Sequence, residues 1–179
     1  MKIRPAVLLT VLLVLSFAVV ACSRKSEVGE IKRVVSRYNE LLIWGYKNLN
    51  MNPLQEVATP EQATRLYFHM SAIGEGKLRM ESSLKSLDFT KMEFPKKDEA
   101  VVETREVWDF THIDTNTGKK YAEEKDFIYE MGYHLKKQTG RWMITEVTTI
   151  NGKSTNTVVP WPEPERHKGE PQKKRERSN

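Results

Sequence analysis

From Val28 to Leu49 the apolar positions fall at Ile31, Val34, Val35, Tyr38, Leu41, Leu42 and Leu49, the three-and-four spacing of a helix with one buried face. Asn52-Pro53-Leu54-Gln55 reads as a second helix start: Asn caps, Pro takes the first helical position and Gln closes a capping box. Thr59-Pro60-Glu61-Gln62 repeats that grammar and opens a longer helix with Ala63, Leu66, Tyr67, Met70 and Ile73 on one face. Gly74 and Gly76 end or break it, each about 1 kcal/mol poorer in a helix than Ala.

From residue 84 the period becomes two. Leu87 and Phe89 alternate, and Met92 and Phe94 resume one step out of phase, the sign of a bulge. After a turn at Pro95-Lys96-Lys97-Asp98, a second strand carries Ala100, Val102, Thr104, Glu106, Trp108 and Phe110 on one face. Thr115-Asn116-Thr117-Gly118 turns the chain into a third strand with Phe127, Tyr129, Met131, Tyr133 and Leu135 inward. Gln138-Thr139-Gly140-Arg141 leads to a fourth, through Trp142, Ile144, Glu146, Thr148 and Ile150. Helices followed by a run of antiparallel strands predict an α+β domain with the helices on one face of a curved sheet.

The two ends of the chain differ from this middle. Lys2 and Arg4 precede an apolar run from Ala6 to Val20, interrupted by Thr10 and Ser16. That is the secretory-signal pattern, and the run is short for a membrane span of roughly 20 apolar residues. It ends at Val19-Val20-Ala21-Cys22, which resembles the bacterial lipobox. The resemblance implies cleavage after Ala21, a thioether-linked diacylglycerol on Cys22 and acylation of the new amino group. Residues 1–21 are thus expected to be a signal peptide and 22–26 a lipidated tether. The domain is expected over 27–152 and a disordered tail over 153–179, where Pro160-Trp161-Pro162-Glu163-Pro164-Glu165 opens a polar, charged run.

Composition narrows the rest. Cys22 is the sole cysteine, so no intramolecular disulfide is available and the core alone must hold the domain. Removing residues 1–21 from the 179 leaves 158, enough for one domain. It also removes Lys2 and Arg4, so the formal charge falls from +5 to +3, too little for a nucleic-acid binder. The expected partners are the membrane, through the anchor, and an envelope protein or a small apolar ligand. Ser23, where an Asp would retain the protein at the inner membrane by the enteric sorting rule, favours the outer membrane facing the periplasm.

Glu106-Val107-Trp108, Tyr129-Glu130-Met131-Gly132-Tyr133-His134-Leu135 and Gly140-Arg141-Trp142-Met143-Ile144 together resemble the strand meander of the NTF2-like (cystatin-like cone) superfamily. Within it, the arrangement is similar to the domains that end chloroplast and cyanobacterial division factors. The resemblance spans roughly 27–150. It implies a cone of helices packed on a curved antiparallel sheet, and members range from isomerases and dehydratases to plain binding modules, so it implies no single function.

Chemistry-bearing motifs are scarce. His69, His112, His134 and His167 have no metal-ligand spacing, and no phosphate loop or nucleophile elbow occurs. No metal, cofactor or catalytic residue is therefore assigned. Parity puts Glu106, Trp108, Tyr129, Tyr133 and Glu146 on the inward face as candidate cone-lining residues. Pairing Tyr129 with Glu106, and Met131 with Glu146, sets the two glutamates about 12 Å apart, far for an acid–base couple. Glu106 is read as hydrogen-bonded inside, so that an amide would be tolerated there, and Glu146 as lying at the open rim. The preferred reading is a lipid-anchored, non-enzymatic binding or assembly domain; the alternative is a small enzyme with its active site around Glu106. The anchor yields the first prediction: labelled fatty acid enters the wild-type chain, and Cys22→Ser loses both label and membrane retention. Retention of the serine variant on membranes would contradict it.

Overall fold

The computed structural model describes residues 5–154, with side chains from Ser26 onward. The side chains of residues 1–25, which include the expected signal peptide and the expected lipidation site Cys22, and the tail from 155 lie outside the described residues. Helix α1, Pro5–Asn48, is followed by a short 3₁₀ helix, Asn52–Glu56, and by α2, Pro60–Glu75. Four strands complete the chain: β1 Leu78–Lys96, β2 Glu99–Asp114, β3 Lys120–Gln138 and β4 Arg141–Lys153. They form one antiparallel meander in the order β1-β2-β3-β4. Among the described residues no helix is long and apolar enough to cross a membrane.

The helices cover one face of the sheet because their stripes and the strand alternation match. Ile31, Val35, Tyr38 and Leu41 of α1 are buried, as are Ala63, Met70 and Ile73 of α2. Facing them are Ala100, Val102, Thr104, Glu106 and Trp108 of β2, Tyr133 and Leu135 of β3, and Trp142 and Ile144 of β4. Thr59 caps α2, its hydroxyl accepting from the Gln62 backbone N–H at 3.4 Å with Pro60 in the first turn. The Gln62 side chain does not close a capping box; its amide donates instead to the Tyr38 hydroxyl at 3.0 Å. Asn52 likewise is not a cap: Met51 holds that place, with no side-chain bond. The segment before α2 seals the sheet edge, with Thr59 N–H donating to Ile144 and Ile144 N–H to Val57, so β4 does not end in unpaired backbone groups.

Three details differ from the sequence pattern. Strand β1 begins at Leu78 and has a bulge at Leu84/Ser86 in addition to the one at Phe89/Lys91. The β3–β4 hairpin is a two-residue turn, Thr139 and Gly140 both at positive φ, the backbone such tight hairpins require. It pairs Lys137 with Trp142 and Leu135 with Ile144, two positions from the expected register. A bulge at His134/Leu135 then moves β4's inward parity by one residue.

Candidate functional site

Glu106 sits in the middle of β2's buried face, 2% exposed. Successive inward side chains on a strand are two residues apart, so Thr104 and Trp108 flank it on the same face. Both donate to it: Thr104 Oγ1 to Oε1 and Trp108 Nε1 to Oε2, each at 2.8 Å. From β3 Tyr133 Oη donates to Oε1 at 2.7 Å, and from α1 Asn39 Nδ2 does so at 3.3 Å. Asn39 Oδ1 lies 3.2 Å from the same phenol. Four donors from three elements thus converge on one carboxylate, three on Oε1 and one on Oε2. Burial and the adjacent carboxylate hold the Tyr133 phenol well above its ordinary range. Tyr38, edge-on to the Tyr133 ring at 6.0 Å, is pushed up to about 12 by burial, with Glu106 adding to the effect and the Gln62 bond opposing it. Both phenols stay neutral donors across the physiological range.

Beyond this cluster the helices and the sheet part around a cavity of about 660 Å³. Glu106, Tyr38, Asn39 and Tyr133 form its inner end, and half-exposed Tyr121 lies among the residues of its outer wall. The sheet side is aromatic. Trp108 and Phe110 stack at 5.8 Å, Phe110 meets Phe127 and Tyr129 edge-on at 6.2 and 6.1 Å, and Phe127 and Tyr129 lie 4.4 Å apart. The helix side contributes Leu42, Tyr46, Leu66, His69 and Ile73. Tyr46 Oη and His69 Nδ1 share a hydrogen bond. Burial lowers the His69 imidazole, and it lowers His112 across the cavity with His69 as a second cause, so both rings are neutral at neutral pH.

The inward residues named from parity therefore divide. Glu106, Trp108, Tyr129 and Tyr133 all line the cavity. Glu146 does not: the β4 bulge turns it outward, where it pairs with Arg65 at 3.5 Å and its side chain is 47% exposed. Val147 and Thr149 take the inward positions in its stead. The hairpin register sets Glu146 opposite His134, not Met131, so Glu146 leaves the expected two-glutamate arrangement, and the glutamates that line the cavity are Glu106, Glu123 and Glu124. Asn39, Tyr46, His69 and His112 are cavity residues that the pattern of apolar positions did not single out. A signal existed for Asn39 and Tyr46, since Val35, Asn39, Leu42 and Tyr46 step by four, three and four along one helix face.

No family model and no curated protein sequence matches this chain. Solved structures do. The intermembrane-space region of the chloroplast protein ARC6 is similar at 14% identity, over 66% of this chain and 92% of that one, with a TM-score of 0.56. An NTF2-like superfamily protein from Salmonella enterica aligns at 13% identity over 75% and 99% of the two chains, with a TM-score of 0.47. A periplasmic fragment of TraM aligns at 6% identity over 66% and 96%, with a TM-score of 0.48.

The cage generates a stability prediction that corrects the expected tolerance of an amide. In Glu106→Gln the amide oxygen can keep the three donors on Oε1, but its NH₂ then faces the Trp108 N–H, donor against donor. Urea unfolding is expected to show a loss of about 1–3 kcal/mol, partly recovered on adding Trp108→Phe. Glu106→Ala strands the Thr104, Trp108 and Asn39 donors, while Tyr133 keeps Asn39 Oδ1 as an acceptor, and costs about 3 kcal/mol or more at ~1–3 kcal/mol for each unsatisfied group. Equal stabilities for wild type and both variants would contradict the cage. The architecture that carries it, two helices against a curved four-stranded antiparallel sheet, is an α+β fold shared with the ARC6 intermembrane-space region.

Proposed function

We propose that this chain is a lipid-anchored envelope protein whose cone binds a small, largely apolar ligand without chemically altering it. One observation carries the binding part: the cone retains a cavity of about 660 Å³ walled mainly by apolar and aromatic side chains. That volume falls within the ~300–1,000 Å³ of small-molecule sites, which combine apolar walls with a few fixed polar groups. A domain acting only as a scaffold has reason to fill this space, since empty apolar volume costs stability. The enzymatic alternative around Glu106 is the poorer reading. A general base must come within hydrogen-bond reach of the proton it takes, and Glu106 is 2% exposed, with Oε1 accepting from Thr104, Tyr133 and Asn39 and Oε2 from Trp108.

The envelope part of the proposal rests on the segment Val19-Val20-Ala21-Cys22 behind an apolar leader, and Ser23 extends it to the outer membrane. Two or more acyl chains on Cys22 would anchor stably where one would not. The ARC6 region of similar fold is itself an intermembrane-space domain, in keeping with a cone placed beside a membrane.

The binding proposal is tested on the full chain carrying Cys22→Ser, with the neutral dye N-phenyl-1-naphthylamine. Dye fluorescence is expected to rise and saturate near one dye per chain. Met131→Trp, which puts an indole into the cavity from the middle of β3, is expected to abolish the saturable component while far-UV circular dichroism stays unchanged. Saturable binding that persists in the tryptophan variant would contradict the cavity as the site.

A further inference from the structure

We propose that the ligand this cavity selects is an organic cation, a protonated amine borne on an apolar body. The inference rests on the cavity being a ligand site and adds the chemical class.

The charges of the wall are one-sided. The sequence holds 29 lysines and arginines, yet none lines the cavity among the described residues, whereas Glu106, Glu123 and Glu124 do. His69 and His112, kept neutral by burial, add no positive charge. Of the three glutamates, Glu123 is balanced by Lys120 at 2.8 Å and Lys125 at 3.8 Å. Glu106 is held by neutral donors, which satisfy its lone pairs without cancelling its charge. Glu124 retains a buried Oε1 with no hydrogen-bond partner. A second unpartnered acceptor, Gln62 Oε1, belongs to a side chain that also lines the cavity and is 98% buried, its relative exposure being 2%. A wall with spare acceptors and no cation calls for a ligand that brings donors and positive charge.

The aromatic side of the cavity stands in the right place for such a group. Phe110 is directly opposite Glu124 in the β2–β3 register, and the rings of Phe127 and Tyr129 adjoin Phe110. The Tyr129 phenol is raised first by burial, then by the negative charge of Glu124 and of Glu106. A cation over these rings gains attraction to their faces, worth more when desolvated, and the apolar walls of the cavity strengthen the field of the glutamates. An anion of the same shape finds no cation on the wall itself, and a neutral ligand leaves the Glu124 charge uncompensated.

The test uses the Cys22→Ser full chain and three probes with one alkyl length: decylammonium, 1-decanol and decanoate, each displacing N-phenyl-1-naphthylamine below its micelle concentration. The cation is expected to displace the dye at about tenfold lower concentration than decanol, with decanoate weaker than decanol. Glu124→Gln should cost the cation about five- to tenfold and leave decanol unchanged. Phe110→Leu should weaken the cation more than decanol, and it serves equally if the Glu124 variant folds poorly. Equal displacement by cation and decanol overturns the inference while leaving the cavity reading intact. A preference that survives both substitutions also overturns it. Failure of the dye itself to bind would remove the cavity reading, and this inference with it.

Discussion

A carboxylate buried under a helix is costly unless the fold supplies its donors, and Glu106 makes that demand at the centre of this domain. Three elements must meet at one point to satisfy it. Strand β2 brings Thr104 and Trp108, β3 brings Tyr133 through its pairing next to β2, and α1 brings Asn39. Sliding α1 by one residue would withdraw Asn39, and slipping β3 by one would turn Tyr133 to the outer face. The hydrogen-bond cluster therefore fixes helix position and strand register together, which apolar packing alone leaves more permissive.

The cavity follows from lengths as much as from residues. Strands β1 and β3 each have 19 residues, about 60 Å of chain if straight. Helix α2 has 16, about 24 Å. These strands outrun α2, and bulges at Leu84/Ser86, Phe89/Lys91 and Trp108/Phe110 let the sheet bend. Where the helices do cover it, Val35, Leu54, Leu135, Trp142 and Ile144 pack closely. Past Glu106 the helices and the sheet stand apart, and aromatic side chains wall a space they do not fill. Glu106 marks the boundary between the packed half and the open half.

Much of the fold was legible because local periodicity and burial agree. The β2 alternation from Ala100 to Trp108 put Glu106 inward, and the Tyr129–Glu106 and Phe127–Trp108 pairs occur as expected. The β3–β4 register was not legible, because Thr139-Gly140 can close either a two-residue turn or a wider loop, and the β4 bulge leaves no mark in an otherwise regular alternation. Glu146 moved to the outer face for that reason. Asn39 escaped notice because a polar residue inside an apolar stripe reads as noise until the group it bonds is known. His69 and His112 become neighbours of one cavity only through helix–sheet spacing, which no pattern along the chain encodes.

The account turns on the Glu106 cage being closed in solution, and the indole proton of Trp108 reports on it directly. Trp142 supplies an internal reference, since its indole nitrogen is also buried but has no acceptor. In a ¹H–¹⁵N spectrum the Trp108 indole proton is predicted to lie downfield of that of Trp142. Its exchange with solvent should be as slow as that of the most protected strand amides. A Trp108 indole proton that exchanges as fast as a free indole, or that lies upfield of Trp142, would contradict the central claim.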